Sequence, residues 1–195
     1  MDKIETEIIP TRIRILHAAR RCFSEKGFHS TPMKTICHES GVSPGTLYHY
    51  FPSKETLIES IILEDQERAI AHFCTPLHEH SLVDYLVTSM IEVTREDYAQ
   101  RGLVVEIMAE GIRNPLVGEM LRNKYRTIIS YIVERFEDAQ KTGEIGETID
   151  KEMAARLLMA VTYGLLADNT STDFVQEEGF VTSFSSLLRG LLQVQ

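Results

Sequence analysis

The sequence predicts an all-α protein with a small three-helix head and a larger helical body. Three observations point there. Apolar residues recur at three- and four-residue spacing along most of the chain, and no stretch alternates apolar and polar residues as a strand does. Two short segments open with a hydroxyl residue followed by proline, Thr31-Pro32 and Ser43-Pro44, as helix starts do. Gly27 and Gly41 stand where the helices before them should stop.

Taken in order, residues 1–10 read as a frayed tail. Helix 1 spans Thr11–Lys26, with Ile15, Leu16, Ala19, Cys22 and Phe23 on its apolar side and Arg12, Arg14, Arg20 and Arg21 giving it basic character. Thr31 caps helix 2, Gly41 ends it, and Ser43 caps helix 3, Pro44–Phe51. Leu47 and Phe51 face the core, leaving Thr46, Tyr48 and His49 outward. A short helix with polar and aromatic residues at its front, braced by a helix behind it, is a helix-turn-helix reader of the DNA major groove. Helix 4 runs from Lys54 through Leu57, Ile58, Ile61 and Ile62 to about Phe73 and links head to body. Further helices are expected at Ser81–Tyr98, Gly102–Gly111, Pro115–Thr142, Asp150–Asp168 and Asp173–Leu192. The expected domains are 1–53, which binds DNA, and 54–195, which binds ligand and dimerises.

Composition narrows the class. The 195 residues are 43% hydrophobic, enough for a packed core. No apolar run is long enough to span a membrane and the first ten residues lack a signal-peptide core, so a cytoplasmic protein is expected. The net charge of −9 is uneven: residues 1–54 balance at +3 and residues 55–195 at −12. A basic head on an acidic body suits local docking on DNA rather than coating of it. Cys22 and Cys37 sit at apolar helix positions as small hydrophobes. Cys74, His78 and His80 lack a fourth metal ligand and read as a solvated loop, so no metal or cofactor is expected. No phosphate-binding glycine loop, H-E-x-x-H or G-x-S-x-G motif occurs, which argues against an enzyme.

The last two helices carry more apolar residues than one face needs. Leu157, Val161, Phe184, Leu188 and Leu191 are the expected homodimer contacts, in a four-helix bundle built by two subunits. Dimerisation would set two short recognition helices about 34–36 Å apart on a palindrome.

Phe23, Gly27-Phe28, Thr31, Ile36, Gly41-Val42-Ser43, Gly45-Thr46-Leu47-Tyr48, Phe51 and Lys54 together resemble the TetR family of bacterial transcriptional repressors. Pro10–Phe28, Pro44–Glu67, Leu103–Pro115 and Thr162–Asp168 resemble its glucuronide-operon branch, which controls β-glucuronidase and leaves DNA when a glucuronide binds. The resemblance implies a dimer on a double-stranded operator. Lys34 would lie near the groove, Gly45 would allow close backbone approach, Thr46 would meet a base edge or a thymine methyl, and Tyr48 and His49 would point to DNA; Thr31, Ser43, Tyr50 and Lys54 would meet phosphates, with Tyr50 equally suited to packing. It also implies a small-molecule inducer. A glucuronide carboxylate needs a cation, for which Lys124 is the first candidate and Arg113 and Arg126 alternatives. Tyr163 and Asp168 are candidates for sugar hydroxyls, although Asp168 could instead cap or pair. Met90 and Met108 are candidate apolar walls. Two other readings stay open: an efflux-pump repressor that binds a hydrophobic cation between Glu106 and Glu110, and a ligand-sensing adaptor without DNA binding.

Overall fold

Capping chemistry divides the chain into helices. The computed structural model describes residues 10–73, 81–95, 97–168 and 178–194, and among these every regular element is a helix. These are α1 (Thr11–Lys26), α2 (Met33–Ser40), α3 (Pro44–Tyr50), α4 (Lys54–Phe73), α5 (Leu82–Thr94), α6 (Tyr98–Arg113), α7 (Pro115–Lys141), α8 (Lys151–Ala167) and α9 (Glu178–Leu192). The Ser43 side chain accepts the Thr46 amide at 3.1 Å, with Pro44 at the first helical position, as expected. Asp150 accepts the Met153 amide at 2.9 Å. Gly41 ends α2 at φ 64°, ψ 29°, a left-handed conformation that glycine adopts without a Cβ penalty.

Several boundaries differ from the sequence reading, and the expected start of the last helix at Asp173 lies outside the described residues. Helix 2 starts after Pro32 rather than at a Thr31 cap. Helix 5 stops at Thr94, and α6 begins four residues earlier than expected because Asp97 caps it, accepting the Gln100 amide at 2.8 Å. Cys74, His78 and His80 lie outside the described residues. No helix among the described residues is long and apolar enough to cross a membrane.

Two apolar clusters hold the helices together. The first joins Ile15, Phe23, Ile36, Leu47, Phe51, Leu57, Ile58, Ile61 and Ile62 to Leu103 and Ile107 of α6 and Val117 and Leu121 of α7. Packing therefore runs without a break from α1–α3 into α4 and the body. The second gathers α5, α7, α8 and α9 around Leu86, Ile132, Phe136, Leu158, Phe184 and Leu188. Cys22 and Cys37 are buried, and burial pushes the Cys22 thiol up, away from reactive thiolate.

The expected dimer contacts separate in space. Phe184 and Leu188 belong to the protomer's own core, and Val161 and Leu191 are half-buried against it, so these four do not form a free face. Leu157 remains, 47% exposed. The open face of α8 runs through Met153, Leu157, Ala160 and Gly164, and that of α9 through Ser183, Leu187 and Gly190. The reason is geometric. Helix α9 has apolar residues on two adjoining stripes, and the one at Phe184, Leu188 and Leu192 is buried inside the subunit.

Candidate DNA-reading surface and ligand cavity

Helix α3 presents Gly45, Tyr48, His49 and Tyr50 to solvent, while Leu47 and Phe51 are buried beneath it. Tyr50 is not a packing residue: it is exposed, its ring edge-on to His49 with centroids 5.3 Å apart. Lys34, on α2, is exposed beside them. Thr46 is half-buried, and its hydroxyl lies 2.8 Å from that of Ser43. These residues form one polar and aromatic surface with apolar support directly behind it.

Thr31 does not belong to that surface. It is 0% exposed, and its hydroxyl, with one proton to give, lies 2.8 Å from Gly27 O and 3.1 Å from Cys22 O. A buried hydroxyl committed to the end of α1 cannot reach a phosphate, so the expected contact is replaced by a structural one. Thr31→Val should lower unfolding free energy by about 1–3 kcal/mol, because the carbonyls at the end of α1 lose the one buried hydroxyl proton offered to them. Denaturant melts would measure this. Unchanged stability with weaker binding to every DNA sequence would restore Thr31 as a phosphate contact.

Lys54 is half-buried. Its Nζ donates to Phe28 O at 2.7 Å and stands 4.3 Å from the centre of the Phe28 ring. It ties the start of α4 to the turn between α1 and α2. The basic side of α1 is largely committed as well: Arg12 donates to Ser60 at 3.1 Å, Arg20 pairs with Glu64 and Asp65, and Arg21 pairs with Glu39 at 2.6 Å.

The body holds a cavity of about 310 Å³ lined by residues of α4, α5, α6, α7 and α8. Its walls are mainly apolar, from Leu86, Met90, Ile128, Ile132, Leu158 and Met159. Lys124 lines it and is only 7% exposed. Tyr163 lines it too, its ring 5.1 Å from that of Tyr125 and hydrogen-bonded to it. Burial, then the neighbouring Tyr125 and Asp65, push the Tyr163 phenol far above its ordinary value, so it meets a ligand as a neutral hydroxyl. Burial also raises Tyr125. Met108 lines a small void behind these two rings, together with Lys124.

Three expected ligand residues lie elsewhere. Arg113 is exposed at the end of α6, with Nη2 3.6 Å from Glu110. Arg126 is exposed and donates to Asn123 at 3.1 Å. Asp168 closes α8 outside the cavity, and its carbonyl accepts from Arg101. Glu106 and Glu110 also face away from the cavity. Glu106 accepts the Phe28 amide at 2.7 Å, and Glu110 lies 2.9 Å from His29 Nε2.

The sequence reading missed Asp65 and Arg68 on α4, Ser89 and Glu92 on α5, and Gln100 on α6, which supply most of the remaining polar lining. A signal for the first two existed. The apolar stripe Leu57–Ile58–Ile61–Ile62 of α4 continues at helical spacing to Asp65 and Arg68, so Asp65 occupies an inward position, while the exposed Arg68 borders the cavity.

Comparison with known proteins adds to this geometry. Residues 15–61 match the family model described as bacterial regulatory proteins, tetR family. HTH-type transcriptional regulator UidR of Escherichia coli K12 is 52% identical over 192 residues, 98% of each chain. The solved structure of Salmonella enterica GusR is 65% identical, covers 98% of this chain and 100% of its own, and has a TM-score of 0.92. The fatty acid degradation regulator FadR from Bacillus halodurans has a TM-score of 0.78 at 18% identity, a likeness of fold alone.

Proposed function

Because the chain belongs to the TetR family of bacterial transcriptional regulators, we propose that its operator-bound form is a homodimer released by a glucuronide held in the body cavity, and that it represses glucuronide-utilisation genes. Lys124 carries the ligand assignment. A buried ammonium on the wall of a mostly apolar cavity suits an anionic group attached to an apolar one. An aryl glucuronide has that shape: its carboxylate would meet Lys124, its hydroxyls Tyr163, Gln100 or Ser89, and its ring system the Met90–Leu158 side. Arg68 adds a second cation.

A hydrophobic cation is less well served. Glu106 and Glu110, its expected partners, point at the head, and Asp65 is already engaged by Arg20 and Arg68. Three compounds separate the readings in operator-binding assays on the DNA upstream of the chain's own gene. Phenyl β-glucuronide should release the protein, and phenyl β-glucoside, lacking the carboxylate, should not. Release by tetraphenylphosphonium alone would overturn the assignment, and no operator shift at low salt would favour an adaptor.

On DNA, Gly45, Thr46, Tyr48, His49 and Lys34 are assigned to bases, and Ser43, Tyr50 and Lys54 to phosphates. Lys54 has further N–H donors besides the one given to Phe28. Lys54→Ala should flatten the log–log salt dependence of operator binding by about one unit. An unchanged slope with a lowered melting temperature would leave Lys54 as a strut within the head.

A further inference from the structure

We propose that Arg20 is the positioning residue through which an occupied cavity acts on the DNA-reading head, because its guanidinium is held by Asp65 of α4 and Gln100 of α6, both of which line that cavity. The inference rests on the reading of the cavity as the inducer site. Arg20 projects from α1 toward α4 and α6. Its Nη2 lies 2.9 Å from Glu64 Oε2 and 3.1 Å from Asp65 Oδ1, and its Nη1 lies 3.4 Å from Gln100 Oε1. The Arg20 side chain is 16% exposed and that of Asp65 9%. This screening from water sets the pair apart from the exposed ion pairs elsewhere on the molecule, which contribute little.

The same Asp65 oxygen also accepts from Arg68, and Arg68 lines the cavity. One carboxylate oxygen is thus divided between a cation of the head and a cation of the cavity wall. A ligand anion that draws Arg68 away leaves Asp65 to Arg20. A ligand hydroxyl that bonds Asp65 or Gln100 competes with Arg20 directly. Either event changes what the head is tied to, which is the differential interaction that induction requires. Glu106 and Glu110, farther along α6, hold the turn at Phe28 and His29 but do not touch the cavity. They can carry a displacement of α6 to the head without sensing ligand themselves. Helix α4 is therefore not the sole connection: α6 grips the head at two places, and Arg20 is the place where the grip includes cavity residues.

The test uses the full chain with Arg20→Gln and Arg20→Lys. Operator affinity is measured by fluorescence anisotropy with and without saturating phenyl β-glucuronide, ligand affinity by calorimetry without DNA, and folding by thermal melts. Arg20→Gln should bind the glucuronide within about threefold of the parent, while the ligand-induced loss of operator affinity shrinks at least tenfold, a typical size for coupling between sites. Arg20→Lys, which keeps the charge without the planar fork, should fall between. The parent's full response in Arg20→Gln would overturn the proposal. If Arg20→Gln does not fold, a full response in Arg20→Lys overturns it equally. A parent that phenyl β-glucuronide does not release refutes the ligand assignment instead. Coupling is then read by hydrogen exchange: operator DNA should protect amides around Asp65 and Gln100 in the parent and not in Arg20→Gln, and equal protection in both would overturn the proposal.

Discussion

Lys124→Met should leave operator binding within about twofold of the parent and weaken the response to phenyl β-glucuronide by about 30-fold or more. The size follows from removing one partner of a desolvated charge pair, which costs roughly 2–5 kcal/mol, with each 1.4 kcal/mol a factor of ten. The variant should fold but melt lower. Methionine nearly matches lysine in length, but the nearly buried Lys124 interacts with other groups of the protein, and taking away one partner of a buried interaction leaves the other uncompensated. Calorimetric titration and thermal melts would check both halves. A folded variant that responds to glucuronide at the parent's concentrations would remove Lys124 from the ligand site. Arg113→Met should have no effect on the response, because Arg113 lies at the exposed end of α6.

Leu187→Arg should dissociate the dimer, raising its dissociation constant on the order of 1000-fold, and operator affinity should collapse with it. Leu187 is 54% exposed in the protomer, so an arginine there can reach water when the subunit is alone and folding should change by about 0.5 kcal/mol or less. In a two-fold interface the substitution appears twice. At roughly 2 kcal/mol for each buried, unpaired charge, the dimer loses about 4 kcal/mol, which is the stated factor. Leu157→Arg, on the open face of α8, should act in the same way. Leu188→Ala is the contrasting variant. Leu188 is in the subunit core, so truncation should cost about 2–5 kcal/mol of folding stability whatever the oligomeric state. Sedimentation and melting data together separate the two residues. A Leu187→Arg protein that remains dimeric would move the interface away from the α8–α9 face.

The head was almost fully legible because its signals are local. A serine cap, a proline in first position and a left-handed glycine each act within a few residues, and α3 begins at Pro44 as those signals require. Thr31 is the exception. It has the chemistry of a cap, but the chain turns it inward at the end of α1, where Cys22 and Gly27 offer acceptors that no local rule reveals. In the body, Lys124, Tyr163 and Met90 do meet at one cavity. Asp168 and Arg113 were assigned by chemistry alone, and neither faces it. Asp65 reads as solvated on an acidic chain until the neighbours that enclose it are known, and the exposed Arg68 until the cavity it borders is.

Contiguous residues were enough to give the helices, the capped reader and its exposed α3 residues, since caps, turns and period are local properties. Which apolar stripe of α9 enters the core, which polar side chains line the cavity, and that Arg20 bonds two residues of the cavity lining emerge once the helices are packed. Those outcomes depend on how helices distant in sequence are placed. Arg20 meets partners 44, 45 and 80 residues away, contacts that no local pattern encodes.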